Sequence, residues 1–408
     1  MKIYLFLFIA QITIAQTKTY NFNLYDGKGY LPTMNQSNDL MLNSLRLAGD
    51  KVDYYSLSRK KQKLYFNLQT LFTALLGQAI THEEGHRSVL TELGIGSVSK
   101  PFFDKNLVAK VTGVTDETLI NLRNTDFPNY IRLHTAGLES DYTYLKKEDH
   151  LFNFNEEDYG TLYGDYFARK FGSQFYYLTL LFKTKVDIKE QDDSELDRDI
   201  VGHDIYGMIR HLHRPDMEFY RYTNYNQLNP EEQKFAKKIG YLSLFNLLNP
   251  NIWRGKKIHL SENTLATPSF SFSLAPFGYF LEENMSLLIN NKLKLSPYAR
   301  QYFNKEHMFL SFGIGLHNYT FKNEKFILNS NLDLWNQPKD LKFETSNNEL
   351  GFSIKNSLGI QFSKWNENKN RAYCNIGISY KTDGFVPEAP SLNDDFRFHL
   401  GLILSMQK

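Results

Sequence analysis

The sequence has very little cysteine and almost no net charge, and each shortage excludes a class of protein. Cys374 is the only cysteine among 408 residues, so no intrachain disulfide can form and a disulfide-stapled secreted module is excluded. The formal net charge is +2, which gives no basic footprint of the kind that nucleic-acid binding requires. We therefore expect no nucleic-acid partner. Aromatic residues, in contrast, make up 15% of the chain, and they favour β-sheets and membrane boundaries.

The first fifteen residues have the layout of a secretory signal peptide. Lys2 gives a positive start, residues 3–14 form a nearly uninterrupted apolar run, and small residues precede a cleavage point after Ala15. The sequence therefore predicts export, with residues 1–15 removed. A polar segment, residues 16–40, follows. Export without a disulfide framework is typical of a bacterial envelope protein.

Hydrophobic periodicity divides the rest of the chain into two domains. Residues 41–258 carry apolar side chains at helical spacing, whereas residues 259–408 show a period of two. We therefore expect an α+β protein, in which a mainly helical, metalloprotease-like domain is followed by an antiparallel β-barrel of about eight strands. Within the first domain, residues 64–81 contain no charged side chain. They are predicted as a buried helix rather than a membrane span, because Asn and Gln interrupt the run.

Local signals support both predictions. Asp126, followed by Pro128, is a candidate helix start, and Asn229 followed by Pro230 is another. In the second domain, apolar residues alternate with small or polar ones in several segments separated by turn residues. The clearest of these segments are residues 269–274, 309–316, 350–362 and 396–404.

The alternation alone does not decide which face of the strands lies inside. In a soluble sandwich the apolar face points inward, whereas in an outer-membrane barrel it contacts lipid and the polar face fills the lumen. Export, aromatic content and Gly-rich polar positions favour the second arrangement. Residues 384–404 also resemble the last hairpin of bacterial outer-membrane barrels, although a terminal aromatic residue is lacking. The resemblance implies a location at the outer membrane, in contact with its lipid.

Residues 82–86, with the sequence HEEGH, form the pattern with the most specific chemistry. In a helix, His82 and His86 project from the same face and can hold one metal ion. Glu83 lies about 100° around the helix, near enough to take a proton from a water that the metal activates. Gly85 would let another element approach closely. These residues fit a zinc hydrolase, in which zinc lowers the pKa of a water.

This pentapeptide, late in an apolar helix, resembles the active-site helix of HExxH zinc metallopeptidases over about residues 71–94. The resemblance implies Zn²⁺ as the cofactor, with His82 and His86 as ligands and Glu83 as the general base. It also implies a protein or peptide as the substrate.

The third ligand has three candidates. In the gluzincin group of these enzymes it is a glutamate on a later helix, followed by an aspartate that orients a ligand histidine. Glu139 is the first candidate, with His134 and Asp204 as alternatives. Because Asp141 follows Glu139 by only two residues, both carboxylates can address one zinc only if the helix breaks, which Gly137 would allow.

Residues 202–206 and the two histidines that follow them, His211 and His213, form a second polar cluster. Its members are candidates for a ligand, a supporting carboxylate or a donor to the transition state. We assign the donor role to His203 and Tyr206. The alternative is a polar helix face, which the neighbouring Arg210 supports.

A second resemblance competes with the first. The HEEGH pentapeptide, together with residues 246–250 on a later apolar helix, resembles intramembrane site-2 proteases, whose third ligand is an aspartate after such an Asn-Pro segment. This chain has Asn251 and Trp253 there instead. Its helices also carry more Asn, Gln and charge than residence in a membrane favours. Both departures count against membership in that group.

The sequence thus predicts a zinc-dependent metallopeptidase of the bacterial envelope. Two alternatives stay open. One is a non-enzymatic outer-membrane β-barrel protein whose helical domain is structural or binds a partner. The other is a zinc hydrolase acting on a non-peptide substrate, because the motif determines how water is activated and not which bond is cleaved.

Overall fold

The computed structural model describes residues 17–26, 31–103, 109–185, 194–367 and 369–407. The predicted signal peptide, residues 1–15, lies outside them. The described residues form an α+β protein, with helices in the N-terminal half and a large antiparallel sheet in the C-terminal half. The predicted fold class is confirmed at this level.

The helical part contains helices α1 to α8. They are α1 Met34–Gly49, α2 Arg59–Phe72, α3 Gln78–Glu92, α4 Asp116–Thr125, α5 Phe127–Asn153, α6 Tyr159–Phe182, α7 Asp204–His213 and α8 Pro230–Leu242. A π-helical turn, Thr73–Gly77, joins α2 to α3, and two 3-10 turns, Ser243–Leu248 and Pro250–Trp253, follow α8.

The predicted helix starts are confirmed by their caps. The Asp126 side chain accepts a hydrogen bond from the Asn129 N–H at the start of α5. At the start of α8, Asn229 and Glu232 each accept a hydrogen bond from the other's backbone N–H. These side chains satisfy N–H groups that have no partner inside the helix.

Helix α2 is more exposed than the sequence predicts. None of its 14 residues is buried, and Leu64, Leu68 and Leu71 are each more than half exposed. The prediction of a buried helix over residues 64–81 is therefore wrong for its first part, although α3 beyond it is largely buried. None of the described helices combines the length and the hydropathy that crossing a membrane requires.

The large sheet contains ten of the strands. They are β1 Thr17–Asp26, β4 Ile258–Ser261, β5 Thr264–Ala275, β6 Gly278–Ile289, β7 Leu293–Phe303, β8 Met308–Phe321, β9 Phe326–Pro338, β10 Asn348–Trp365, β11 Asn370–Lys381 and β12 Asp395–Gln407. Two short strands, β2 Val98–Lys100 and β3 Lys110–Thr112, form a separate hairpin. The four clearest predicted segments are confirmed as parts of β5, β8, β10 and β12.

The large sheet is open, with strand order β1-β12-β11-β10-β9-β8-β7-β6-β5-β4. Strands β4 to β12 follow one another as a meander, and β1 adds to the C-terminal edge by pairing Thr17 with Gln407. The prediction of a closed barrel of about eight strands is therefore wrong, because β1 and β4 are two free edges of the described sheet. The predicted polar segment, residues 16–40, contributes a strand because its side chains alternate at Tyr20, Phe22 and Leu24.

Helix α5 is the central helix and connects the two parts of the protein. It packs against α3 and α7 on the helical side and against β5 on the sheet. Its polar side chains Tyr142 and Lys146 contact the buried Glu282 carboxylate of β6, at 2.8 Å and 2.9 Å. Arg300 of β7 binds the same carboxylate at 2.6 Å. This network fixes α5, and with it the helix crossing described next.

Candidate metal centre

Helices α3 and α5 approach each other at two glycines. A Cβ on Gly85 would lie 2.4 Å from the Ala136 carbonyl oxygen, and one on Gly137 would lie 2.3 Å from His82 Nε2 and 2.5 Å from His86 Nε2. The predicted role of Gly85 is therefore confirmed. Gly137 does not break α5, which is continuous from Phe127 to Asn153, so the predicted break is wrong. Instead, Gly137 leaves the space that the two imidazoles occupy.

The side chains of His82, His86 and Asp204 converge beside this crossing, and we call them the ligand group. Asp204 Oδ2 lies 3.1 Å from His82 Nε2 and 3.4 Å from His86 Nε2. One ligand atom of each residue lies within 4.8 Å of the other two. Two ligand atoms of a tetrahedral zinc ion, at bond lengths of about 2.0–2.1 Å, lie about 3.3 Å apart. The distances to Asp204 Oδ2 fit edges of such a tetrahedron.

The second nitrogen of each imidazole has its own partner. His86 Nδ1 donates to the Leu133 carbonyl at 2.7 Å. His82 Nδ1 lies 3.1 Å from Asp141 Oδ2, and Gln78 Nε2 donates to the same Asp141 oxygen at 3.1 Å. Such partners fix the tautomer and leave Nε2 free for a metal. Asp141 therefore occupies the orienting position that the gluzincin resemblance implies for an aspartate.

The charges around the ligand group favour a cation. Burial alone disfavours the protonated form of both imidazoles, yet Asp141 and Asp204 raise the pKa of His82 well above its ordinary value. Asp204 likewise raises the pKa of His86 against the effect of burial. In turn, the two histidines lower the pKa of Asp204, although burial opposes this. A place that favours a proton on buried imidazoles also favours a divalent ion between them.

Glu83 lies beside the ligand group and is not part of it. Its side chain is almost fully buried, and burial raises the pKa of its carboxyl against the effect of His86 and His82. A raised pKa brings a carboxylate closer to the range in which a general base works at neutral pH. The raised pKa is compatible with a general base, and this role of Glu83 stays a prediction.

Glu139, the first candidate for the third ligand, does not reach the ligand group. Its two carboxylate oxygens accept hydrogen bonds from Arg132 at 3.0 Å and 2.7 Å. His134, the second candidate, lies outside the group too, and burial lowers its pKa to about 3. Asp204, the remaining alternative, is the one of the three candidates that lies in the ligand group, because α7 begins at this residue and directs it toward α3. The order of residues along the chain does not reveal this meeting of α3 and α7.

The predicted donors His203 and Tyr206 contact α6 rather than the ligand group. His203 Nε2 lies 3.1 Å from the Thr179 hydroxyl, and its ring stacks on Tyr206 with 3.8 Å between centroids. The Tyr206 hydroxyl donates to the carbonyls of Thr179 and Thr184, at 3.2 Å and 3.1 Å. Both side chains therefore hold α7 against the end of α6.

Sequence reasoning missed Tyr176, which lies next to the ligand group. Its hydroxyl oxygen accepts the Asp204 N–H at 3.0 Å, and its ring centroid is 6.1 Å from that of His82. Because the oxygen acts as an acceptor there, its proton is available to another group. No signal in the sequence singled out this tyrosine, since α6 is rich in aromatic residues along its length.

Comparison with known proteins does not assign this site. No family model, no curated protein and no solved structure matches the chain. The resemblance to HExxH zinc metallopeptidases therefore stays a prediction.

Proposed function

We propose that this protein is a zinc-dependent hydrolase of the bacterial envelope that cleaves peptide bonds. The observation that carries the proposal is the convergence of His82, His86 and Asp204 at ligand-to-ligand distances. Three protein ligands from two imidazoles and one carboxylate are typical of catalytic zinc sites, which keep a fourth position for water or substrate. The space at Gly137 and the carboxylates around the imidazoles support the same conclusion.

Zinc fits this set of donors better than calcium or magnesium does. Calcium and magnesium prefer sites made of oxygen atoms, whereas imidazole nitrogen is a preferred ligand of zinc. When bound, zinc supplies Lewis acidity, which polarises a carbonyl and makes water easier to deprotonate. The assignment rests on the donors and their spacing.

The residues around the ligand group have separate roles in the proposed reaction. Glu83 accepts a proton from the attacking water and returns it to the leaving amine. Asp141 keeps the His82 imidazole in one orientation. The Tyr176 hydroxyl provides a donor for the negative charge that develops on the substrate oxygen. The ligand group is reached from solvent on the His82 side, where the side chain is 17% exposed.

A Glu83→Gln variant tests the proposal, because glutamine keeps the size of the side chain and cannot act as a base. We expect wild type and variant to carry one zinc per chain by elemental analysis, while the variant loses at least about a hundredfold in peptide hydrolysis. Fluorogenic ester substrates are assayed in parallel, so that the comparison shows whether the enzyme cleaves peptide or ester bonds. Protein without stoichiometric zinc, or a variant with full activity, would overturn the proposal, and hydrolysis of esters alone would replace its substrate class.

A further inference from the structure

Strands β8 to β12 expose an apolar face, which we call the outer face. Strand register places its members on one side of the sheet. None of its described members is charged, and its small amide or hydroxyl side chains include Ser330, Asn336 and Asn356, with Asn348 at the start of β10. The large exposed members are Met308, Leu310, Phe312, Ile314, Leu332, Leu334, Leu350, Phe352, Ile354, Ile360, Ile376, Ile378, Tyr380, Phe396, Phe398 and Leu400. Leu350 is 84% exposed and Phe398 is 61% exposed.

The opposite face of the same strands is polar and lies inside the protein. Asp333 of β9 pairs there with Arg300 at 3.1 Å, and His399 of β12 pairs with Asp26 of β1 at 2.6 Å. On this inner side, residues of α1 and α5 line a cavity together with inner-facing residues of β9 and β10. A water-soluble sheet with one covered face buries its apolar side. Here the arrangement is reversed, as it is in sheets that contact lipid.

The dimensions of the outer face match a lipid environment. Met308 and Ile314 are six residues apart on β8, which is about 20 Å along a strand. The apolar band of a membrane β-protein is about 25 Å tall. Charged residues begin beyond both ends of this band, at Lys322 and Glu324 after β8 and at Lys339 and Asp340 after β9.

An open sheet in lipid needs partners for the backbone of its edge strands. The helical part supplies them at both edges. On β1, Asn43 donates to the Asn21 carbonyl at 2.6 Å and Arg46 donates to the Thr19 carbonyl at 2.8 Å. On β5, beyond the short strand β4, the Asn246 amide accepts the Phe272 N–H at 2.8 Å. The helical part therefore supplies partners to some of the backbone groups at both edges, although the four residues of β4 stay exposed.

We propose that the outer face of β8 to β12 lies against the hydrocarbon interior of a lipid bilayer. The polar face and the helices packed on it then form the interior of the membrane-inserted protein. The helical part lies where a closed barrel would have further strands. This inference does not depend on metal binding or hydrolysis. It commits to lipid as the occupant, because a protein partner would have to leave this large uncharged surface exposed to water before association.

Cys374 provides a built-in probe, since it is the only cysteine, lies on the outer face of β11 and is exposed. The full chain, labelled there with bimane, is reconstituted into phosphatidylcholine vesicles with brominated acyl chains. We expect bromine to quench the bimane and aqueous iodide to leave it unchanged. In a matched Cys374→Ala/Asn348→Cys protein, which places the label beyond the band on β10, iodide should be the stronger quencher. Quenching of the Cys374 label by iodide alone would overturn the proposal.

A charge in the band gives a second test. Ile378→Lys is compared with Asn348→Lys, which adds the same charge at an exposed position outside the band. We expect Ile378→Lys to reduce the ratio of vesicle-bound to aqueous protein by at least about tenfold, and Asn348→Lys to change it little. Equal flotation of the two variants, or a wild-type chain that stays aqueous as a dimer, would contradict lipid contact. Zinc content, measured on the same samples, reports on the ligand group separately.

Discussion

Two groups of buried histidines lie close together in the helical part, and their charge environments are opposite. His82 and His86 face the Asp204 carboxylate, and their pKa values are raised. His134 and His211 pack on each other and on aromatic rings, and burial lowers their pKa values to about 3 and about 2. Burial alone therefore makes a histidine a neutral core residue. A buried carboxylate is what turns a histidine pair into a site for a cation.

The comparison also explains why a dense cluster of histidines in the sequence is a poor guide to metal ligands. His203, His211 and His213 lie within eleven residues, yet none of them belongs to the ligand group. His211 Nε2 lies 2.9 Å from the Tyr130 hydroxyl oxygen, and His213 Nδ1 donates to the Ile209 carbonyl at 2.9 Å. The residue of α7 that belongs to the ligand group is Asp204, which carries a carboxylate and not an imidazole.

The largest effect is expected when the carboxylate is removed from the first group. Asp204→Ala should lower zinc affinity by more than about a hundredfold, because it removes a ligand and not only a supporting contact. His134→Ala, a matched change in the second group, should leave zinc affinity within about threefold. Competition with a chelating dye measures both. If His134→Ala lost the metal and Asp204→Ala kept it, the assignment of the two groups would be reversed.

The next largest effect is expected at the helix crossing. Gly137→Ala places a methyl group within 2.5 Å of both imidazoles, so the rings must turn or the helices must separate. Zinc affinity should fall at least about tenfold, and the metal-free protein should lose about 1–3 kcal/mol of stability through overpacking. Gly96→Ala is the control, since nothing lies within 4 Å of its added Cβ. Equal behaviour of the two variants in chelator competition and thermal unfolding would contradict the crossing geometry.

The sequence predicted the local features of this protein well. The HEEGH spacing predicted that the two imidazoles converge, and the caps at Asp126 and Asn229 marked helix starts. These features depend on neighbours within one or two helical turns. The alternation of apolar residues identified the main strands for the same reason.

The features that the sequence did not predict all depend on distant parts of the chain. Asp204 lies 118 residues beyond His86 along the numbering, and its place in the ligand group results from α7 packing against α5. The role of β1 depends on pairing with β12 at the other end of the chain. The resemblance to gluzincins predicts Glu139 as a ligand, and its buried ion pair with Arg132 cannot be read from the sequence. Periodicity in the sequence predicts helices and strands. Which side chains meet in a site depends on how those helices and strands pack in three dimensions.

A smaller effect on the metal is expected from Asp141, which touches a ligand and is not one. Asp141→Asn should lower zinc affinity about 10–100-fold, because the charge that supports His82 is lost while the ligands stay. Glu139→Gln is the matched control from the same helix. It should leave zinc affinity unchanged and cost up to about 3–5 kcal/mol of stability, since it leaves Arg132 without its buried partner. Chelator competition and urea unfolding separate the two effects, and loss of zinc in Glu139→Gln would restore Glu139 as a ligand.

The smallest effect concerns pH and the second group of histidines. Burial lowers the pKa of His211 to about 2, so between that pH and the ordinary value of about 6.5 the unfolded chain binds a proton that the folded chain does not. This difference in proton binding adds to the free energy of unfolding. The contribution is complete above pH 6.5 and is lost as the pH falls. For His211→Gln, the loss of unfolding free energy between pH 6.5 and 5.5 in metal-free protein should be about 1 kcal/mol smaller than for wild type. An unchanged slope in urea titrations would mean that His211 accepts its proton in the folded state, and the contrast between the two groups would then fail.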